Sequence, residues 1–310
     1  MPAIHTIGLR ARRPDGAAPS GQATTVGWRG ESGLRASASG LANNDLSYTA
    51  GMFDFRADSD GLVTTANGPV SQLASGQGFG STFVQATAAN QPAHAAANDW
   101  VAFTAASSTD ANGDFLANTT IRDRYRTTAN ALGVFYMLFR VAAIPSWNTM
   151  LLRVGAASST YTNFLLRAYA LRMMTTGELW LGRGGNITGE NRVATMGGPF
   201  LADEWIAAAF VLNDSRSAGV TNGTADQVTR LFAKTKPGGS HPALTTAATV
   251  AQNVPVDATT LCEVGRARFN ASTADSYANG LRLHSLGFDA EPPVTDAAID
   301  LVLNRLLARV

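Results

Sequence analysis

Hydrolysis of a sugar polymer by acid–base chemistry needs two carboxylates about 5–9.5 Å apart across the scissile bond. The glutamates of this sequence are Glu31, Glu178, Glu190, Glu204, Glu263 and Glu291, and no two stand at i, i+2 or i, i+4. The spacing that would aim a pair from one strand into one cleft is therefore missing. His5, His94, His241 and His284 are scattered, with no His-x-x-x-His or Glu-x-x-His spacing for zinc. His241 precedes Pro242 in a Gly-rich loop and reads as solvated, whereas His284 lies mid-strand and reads as a satisfied polar residue. Cys262 is the only cysteine, so no intrachain disulfide and no Cys-based zinc site can form, and its apolar surroundings mark it as a small buried hydrophobe. Asp110-Ala-Asn-Gly-Asp114 opens like a calcium loop, but Ile121 stands where position twelve needs a glutamate, so a tight turn closed by Asp and Asn side chains is expected. Gly76-Gln-Gly-Phe-Gly80 lacks the strand-to-helix setting of a phosphate cradle, and no serine sits in a Gly-x-Ser-x-Gly elbow. No enzymatic activity, metal or cofactor is expected.

The residue types that remain suit sugar recognition, in which an aromatic face meets the ring's C–H surface and Asn, Asp or Arg meets the hydroxyls. Trp147-Asn148, in the turn after Pro145, and Tyr161-Thr-Asn163 sit at loop positions. Arg183, Asn186, Asn191 and Arg192 cluster in the Gly-rich stretch after Trp180. These eight residues, Trp147, Asn148, Tyr161, Asn163, Arg183, Asn186, Asn191 and Arg192, are the candidate carbohydrate contacts. Arginine would also suit an acidic capsular polysaccharide, because its fork pairs with carboxylates in bidentate fashion.

Positioning such groups is the task of a chain of 310 residues, 45% hydrophobic and 15% charged. That apolar content excludes wholesale disorder. With 24 basic against 23 acidic residues the net charge is +1, which argues against nucleic acid as a partner, since phosphate recognition needs a basic stripe. Only Lys234 and Lys236 are lysines, so nearly all the positive charge is arginine. No window approaches the roughly 20 apolar residues of a membrane helix, and no apolar run of the secretory type follows the basic N-terminus. The expectation is a chain made in a cytoplasm, not exported by the usual signal and not inserted in a membrane.

Residues 1–45 are rich in Gly, Ala, Ser and Arg without apolar periodicity and read as an extended arm, a separate unit from residues 46–310. From about residue 130, short apolar runs alternate with Gly, Asn and Pro turn signals, the pattern of a β-sandwich or barrel. The run Trp205–Leu212 is apolar on both alternating faces, as in a strand covered on both sides. Within Leu281–Phe288 the apolar phase slips, which predicts a bulge near His284-Ser285. A helix is expected over residues 295–310. Pro292-Pro293 blocks an earlier start, Thr295 can cap it, and Ile299, Val302, Leu303, Leu306 and Val310 recur at helical spacing. Asp296 and Asp300 near its start and Arg305 and Arg309 near its end match the macrodipole. Its apolar face should lie on the sandwich.

Three stretches together resemble the concanavalin A-like, laminin-G-like jelly-roll domains of phage virion proteins and bacterial surface proteins. The first is Met52-Phe-Asp-Phe-Arg-Ala-Asp-Ser-Asp60 with Val70-Ser-Gln-Leu73. The second is Gln85-Ala-Thr-Ala-Ala-Asn-Gln-Pro92, then Trp100-Val-Ala-Phe103, then Asp110-Ala-Asn-Gly-Asp-Phe-Leu116. The third is Gly280 to Phe288 with Ala290-Glu-Pro and the terminal helix; Trp205 falls where these domains place a Trp opening a strand. The resemblance spans about residues 48–310, with one departure, Ser107-Ser-Thr109 inserted before the Asp110 turn. It implies an all-β, antiparallel jelly-roll sandwich with the C-terminal helix packed on it. The Glu-x-Asp-x-Glu strand of the laminarinase-like enzymes on this fold is absent.

A lectin-type fold without export signal or disulfide, led by a basic arm, suggests a particle protein assembled in a bacterial cytoplasm. The expectation is a structural virion protein of a phage or phage-like particle, a head spike, fibre or tail-associated subunit. The arm would attach it to other virion proteins and the jelly roll would bind host capsular or surface polysaccharide. A homo-oligomer, trimer or pentamer, is what the resemblance implies. Two alternatives stand beside this reading. One is a purely architectural capsid decoration or baseplate protein; the other is a polysaccharide-degrading glycosidase.

Overall fold

In the computed structural model, the residues described are 51–54, 62–63, 67–74, 82–95, 100–118, 133–156, 168–184, 191–214, 226–252, 260–267, 276–289 and 295–310. The arm over 1–45 therefore lies outside the described residues. Two sheets, paired antiparallel throughout, account for nearly all of the regular structure. Sheet A runs in the order β16 (Thr245–Gln252), β15 (Asp226–Thr235), β14 (Ile206–Asp214), β9 (Gly133–Val141), β20 (Leu281–Asp289), β7 (Val101–Phe103), β6 (Ala93–Ala95) and β3 (Asn67–Pro69), with β1 (Gly51–Asp54) also on β20. Sheet B runs β13 (Asn191–Met196), β12 (Leu179–Gly184), β11 (Ala168–Met173), β10 (Thr149–Ala156), β17 (Thr260–Val264), β8 (Leu116–Asn118), β5 (Thr82–Val84), β4 (Gln72–Ala74) and β2 (Leu62–Val63). A small hairpin, β18 (Arg266–Ala267) with β19 (Ser276–Tyr277), follows β17.

The sheets face one another across a single core. Phe83, Leu116, Leu152, Tyr169 and Leu181 of sheet B share it with Phe103, Phe135, Phe139, Phe210 and Leu283 of sheet A. Strand alternation explains the partition, because successive side chains point to opposite faces. In β14, Ile206, Ala208 and Phe210 enter this core, and Phe210 stacks on its register partner Phe135 at 5.0 Å between ring centroids. Ala207, Ala209 and Val211 point the other way, into a second cluster with the terminal helix. The two-sided burial expected for this strand is thus found, and Trp205 stands immediately before it.

That helix, α1 (Asp296–Leu307), is capped by Thr295, whose Oγ1 accepts from the Ala298 N–H at 3.1 Å. Ile299, Val302, Leu303 and Leu306 are buried against Val134, Tyr136, Leu138 and Phe232 of sheet A, with the small Ala207 and Ala209 letting the backbones approach. Lys234 of β15 reaches Asp300 at 2.7 Å, holding the helix laterally. The expected bulge is also present. Pairing of β20 with β9 shifts between Leu283 and Ser285, so His284 is the extra residue; it is fully buried, with Nδ1 2.6 Å from Ser285 Oγ.

The acidic segment before β8 forms a turn. Asp110 Oδ1 accepts from Asn112 N at 2.9 Å and Oδ2 from Ala106 N at 2.7 Å, which holds the Asp110 carboxyl below the usual range. The amide that secures it comes from outside the turn: Asn90 Nδ2 donates to the carbonyls of Ala111 and Gly113, both at 2.9 Å. The Ser107–Thr109 insertion joins in, with Asp110 N donating to Ser107 O and Tyr277 N to Ser108 O. Gly113 is required because any Cβ there would collide with the Tyr277 ring. Asn90→Ala should therefore leave two carbonyls unsatisfied and lower the unfolding free energy by about 1–3 kcal/mol in urea denaturation. An unchanged midpoint and slope would show that the turn does not depend on this amide.

Candidate functional site

The candidate sugar contacts chosen from sequence do not all come together. Tyr161, Asn163 and Asn186 lie outside the described residues. Arg183, Asn191 and Arg192 are not loop residues, as the Gly-rich stretch had suggested. Arg183 is the penultimate residue of β12 and the other two open β13, with Arg183 opposite Arg192 and Gly184 opposite Asn191 in the register. Glycine there ends strands without preventing them. Trp147 and the exposed Asn148 lie in the turn before β10, at the other end of sheet B, and Trp147 Nε1 donates to Tyr277 O at 3.0 Å. Arg183 pairs with Tyr169, which pairs with Val154, so roughly 20 Å of extended strand separates the two groups.

The outer face of sheet A carries a denser constellation. Arg140 lies between the core residues Phe139 and Val141, and Arg282 between the core residues Leu281 and Leu283, so alternation sends both outward. The register sets Arg282 directly opposite Arg140. Like charges in that relation destabilise a sheet unless something compensates. Here two tryptophans and one carboxylate do so. The Arg140 guanidinium lies 4.5 Å from the Trp100 ring centroid and 4.9 Å from that of Trp205, while Arg282 lies 5.7 Å from Trp100. The indoles meet edge to face at 6.0 Å. Asp203 Oδ1 accepts from Arg282 at 3.0 Å and lies 3.2 Å from Arg140.

Burial lowers the pKa of Arg140, Arg282 pushes it the same way, and Asp203 opposes both. Arg140 Nε is buried without a hydrogen-bond partner. Both tryptophans and both arginines keep partial access to solvent. Two cations, one anion and two indoles thus form a half-open surface with one positive charge in excess. Chemically it can stack a sugar ring and donate charged hydrogen bonds to its oxygens. Sequence reading noted Trp205 only as the opening of a strand. The arginines carry a sequence signal of their own, a charged residue flanked on both sides by apolar ones within a strand.

A second polar cluster clips the connection between β13 and β14 to the β15–β16 hairpin. Glu204 Oε2 accepts from Ser240 Oγ and Oε1 from Ser240 N, both at 2.6 Å, and Ser240 Oγ lies 2.9 Å from His241 Nδ1. His241 is not merely solvated, as the Gly-rich setting had implied. It stacks on Phe200 at 4.1 Å, and Nε2 lies 3.2 Å from Gly197 O. Carboxylate, hydroxyl and imidazole are the types of a hydrolytic triad, but in an order that holds the serine rather than activating it, with the carboxylate on the hydroxyl and not on the imidazole. Elsewhere, Glu263 is fully buried against Arg153 and Arg266 beneath Phe115. Cys262 is buried as expected, and burial pushes its thiol pKa well up. No group of three or more metal-ligating side chains occurs among the described residues.

No protein-family model matches the chain, and no curated protein matches it in sequence. Among solved structures, the CBM40 of the Ruminococcus gnavus IT-sialidase bound to alpha2,3 sialyllactose is similar, with 12% identity and a TM-score of 0.42 over 59% of this chain and 84% of its own. The binding domain of botulinum neurotoxin DC in complex with SialylT has 8% identity and a TM-score of 0.38, over 64% of this chain and 41% of its own. The LG1-3 region of the laminin alpha2 chain has 13% identity and a TM-score of 0.37, over 55% and 30%. The antiparallel sandwich itself is read from the strand pairing and core of this chain.

Burial alone would raise the pKa of Glu204, but donation from Ser240, Leu201 and Thr235 outweighs it and holds the carboxyl below its ordinary value. A lowered folded-state pKa contributes stability that is present above the unfolded value and lost as pH falls through the folded one. Glu204→Gln should therefore be less stable than the parent at neutral pH and lose less on acidification through the carboxylate range. Thermal melts across that range check this, and parallel losses in both proteins would refute it.

Proposed function

We propose that this protein is a structural component of a phage or phage-like particle, assembled in a bacterial cytoplasm, whose sandwich binds host surface polysaccharide. The observation that carries the binding reading is the cross-strand Arg140–Arg282 pair set against Trp100 and Trp205. Arg153 and Arg266 also share one carboxylate, Glu263, but they are buried with it, whereas Arg140 and Arg282 share Asp203 on a face that keeps solvent access beside two indoles. Sugar recognition uses both halves of the arrangement, indole for C–H faces and guanidinium for oxygens. The particle setting is supported by the resemblance of the Gln85–Pro92, Asp110–Leu116 and Gly280–Phe288 stretches to virion jelly rolls. In this reading residues 1–45 anchor the sandwich to other virion proteins, and the subunits form a trimer or pentamer. The residues read from sequence, Trp147, Asn148, Tyr161, Asn163, Arg183, Asn186, Asn191 and Arg192, remain candidates for secondary sugar contacts.

Two measurements test this. On an array of host capsule and lipopolysaccharide fragments the intact protein should bind, and Arg282→Ala or Trp100→Ala should weaken binding roughly tenfold, the loss typical of a residue central to an interface. Equal binding by the variants would move the site elsewhere, and no binding by a particle-bound protein would make its role architectural. Release of reducing ends from the capsule would instead make it an enzyme. Deleting residues 1–45 should yield a folded sandwich that no longer enters particles, whereas incorporation of the truncated chain would refute the anchor.

A further inference from the structure

Asp203 is the one non-glycine residue with positive φ among the described residues, at 59°. Aspartate and asparagine are among the few L-residues that adopt this left-handed conformation readily. The backbone is held there by donation from Asp203 N to Val141 O at 2.7 Å, a bond that does not involve the side chain. The side chain itself is 57% exposed, yet its single oxygen Oδ1 faces both arginines, each through Nη1. A carboxylate engaged by an arginine fork ordinarily offers two oxygens, so the contact is submaximal for both partners. Glu204, next in sequence, turns away to Ser240, and the His284 ring lies edge to face with Trp205. No second carboxylate among the described residues competes for this position.

We propose that Asp203 stands in for the ligand: its Oδ1 fills the anion position between Arg140 and Arg282 in the free protein, and the carboxylate of an acidic sugar binds by displacing it. This rests on the glycan-binding reading and specifies the class, a uronic-acid type of polysaccharide. The acid group takes the two guanidiniums and the ring lies against the indoles. Asp203 swings into solvent while its backbone bond to Val141 stays in place. Free protein then avoids exposing two opposed arginines, and neutral sugars, which cannot replace the carboxylate, are rejected. The contact also lowers affinity for the right ligand, because only the fraction of molecules with Asp203 displaced is competent.

The test titrates the full chain with oligogalacturonate and with its carboxyl-reduced, neutral counterpart. The parent should prefer the acidic probe. Asp203→Asn keeps a residue that tolerates left-handed backbone but removes the charge, and Asp203→Gly frees the backbone as well. Both should bind the acidic probe about fivefold more tightly, a ratio set by the strength of an exposed ion pair, with little change for the neutral one. Arg282→Ala should abolish the preference. If the parent binds with the acidic preference but neither Asp203 variant gains affinity, displacement is wrong and glycan binding stands. If the parent binds both probes equally, the acidic class is wrong. If no variant binds either probe while all melt like the parent, glycan binding at this face falls and the displacement with it.

Discussion

Everything on the outer side of sheet A follows from the fact that β9 and β14 are apolar on both faces for most of their length. One face of each is satisfied by the opposing sheet. The other must be covered, and the chain covers it with its own last helix, laid over Val134, Tyr136, Leu138, Ala207 and Ala209. Further along the same strands the pattern changes. After Leu138 the outward position in β9 is Arg140, and the residue before Ile206 is Trp205. Indole and guanidinium take over from the helix there. Trp205 belongs to both regimes, packing against the helix cluster and stacking with Arg140. The half-open Trp–Arg surface is therefore the margin of a cover that stops short of the sheet's end.

The parts of this fold legible in sequence are those whose information is local. The bulge was visible because the apolar phase slips within nine residues, and the helix because a cap, a hydrophobic repeat and two Pro residues fall within one segment. The two-faced β14 was visible because Trp205–Leu212 has no polar alternation. What escaped depends on residues far apart in the chain. Asn90 fastens a turn twenty-odd residues later through its side-chain amide, and nothing in the Gln85–Pro92 stretch itself states that partner. Strand β13 escaped because glycine and asparagine surround it, and β16 because Thr and Ala form a weak strand signal.

The Trp–Arg surface escaped for a related reason. Its members come from β7's approach, β9, the turn before β14 and β20, four segments brought together only by sheet order. Reading along the chain favoured loops, where aromatic and amide residues are plainly exposed. Reading across the chain would have asked which charged residues sit at outward positions of strands whose neighbours are core. That question selects Arg140 and Arg282, and also Arg153 and Glu263, which instead neutralise one another in a buried cluster with Arg266. Local alternation can thus find outward charges but cannot say which pair off internally. The register decides, since it sets Arg153 opposite Glu263 and Arg140 opposite Arg282.

These two cross-strand pairs differ in what surrounds them. Arg153 meets an opposite charge, loses almost all solvent and needs nothing from outside. Arg140 meets a like charge, retains solvent on one side, and is balanced by a residue borrowed from a loop with left-handed backbone. Glycine at 203 would relieve that conformation but leave both guanidiniums without an anion. The aspartate tolerates the left-handed backbone and its carboxylate offsets a repulsion built into the sheet register. One oxygen serves both guanidiniums, so the balance is incomplete. It is also local, so a chain with a net charge of only +1 still carries a patch with one positive charge in excess.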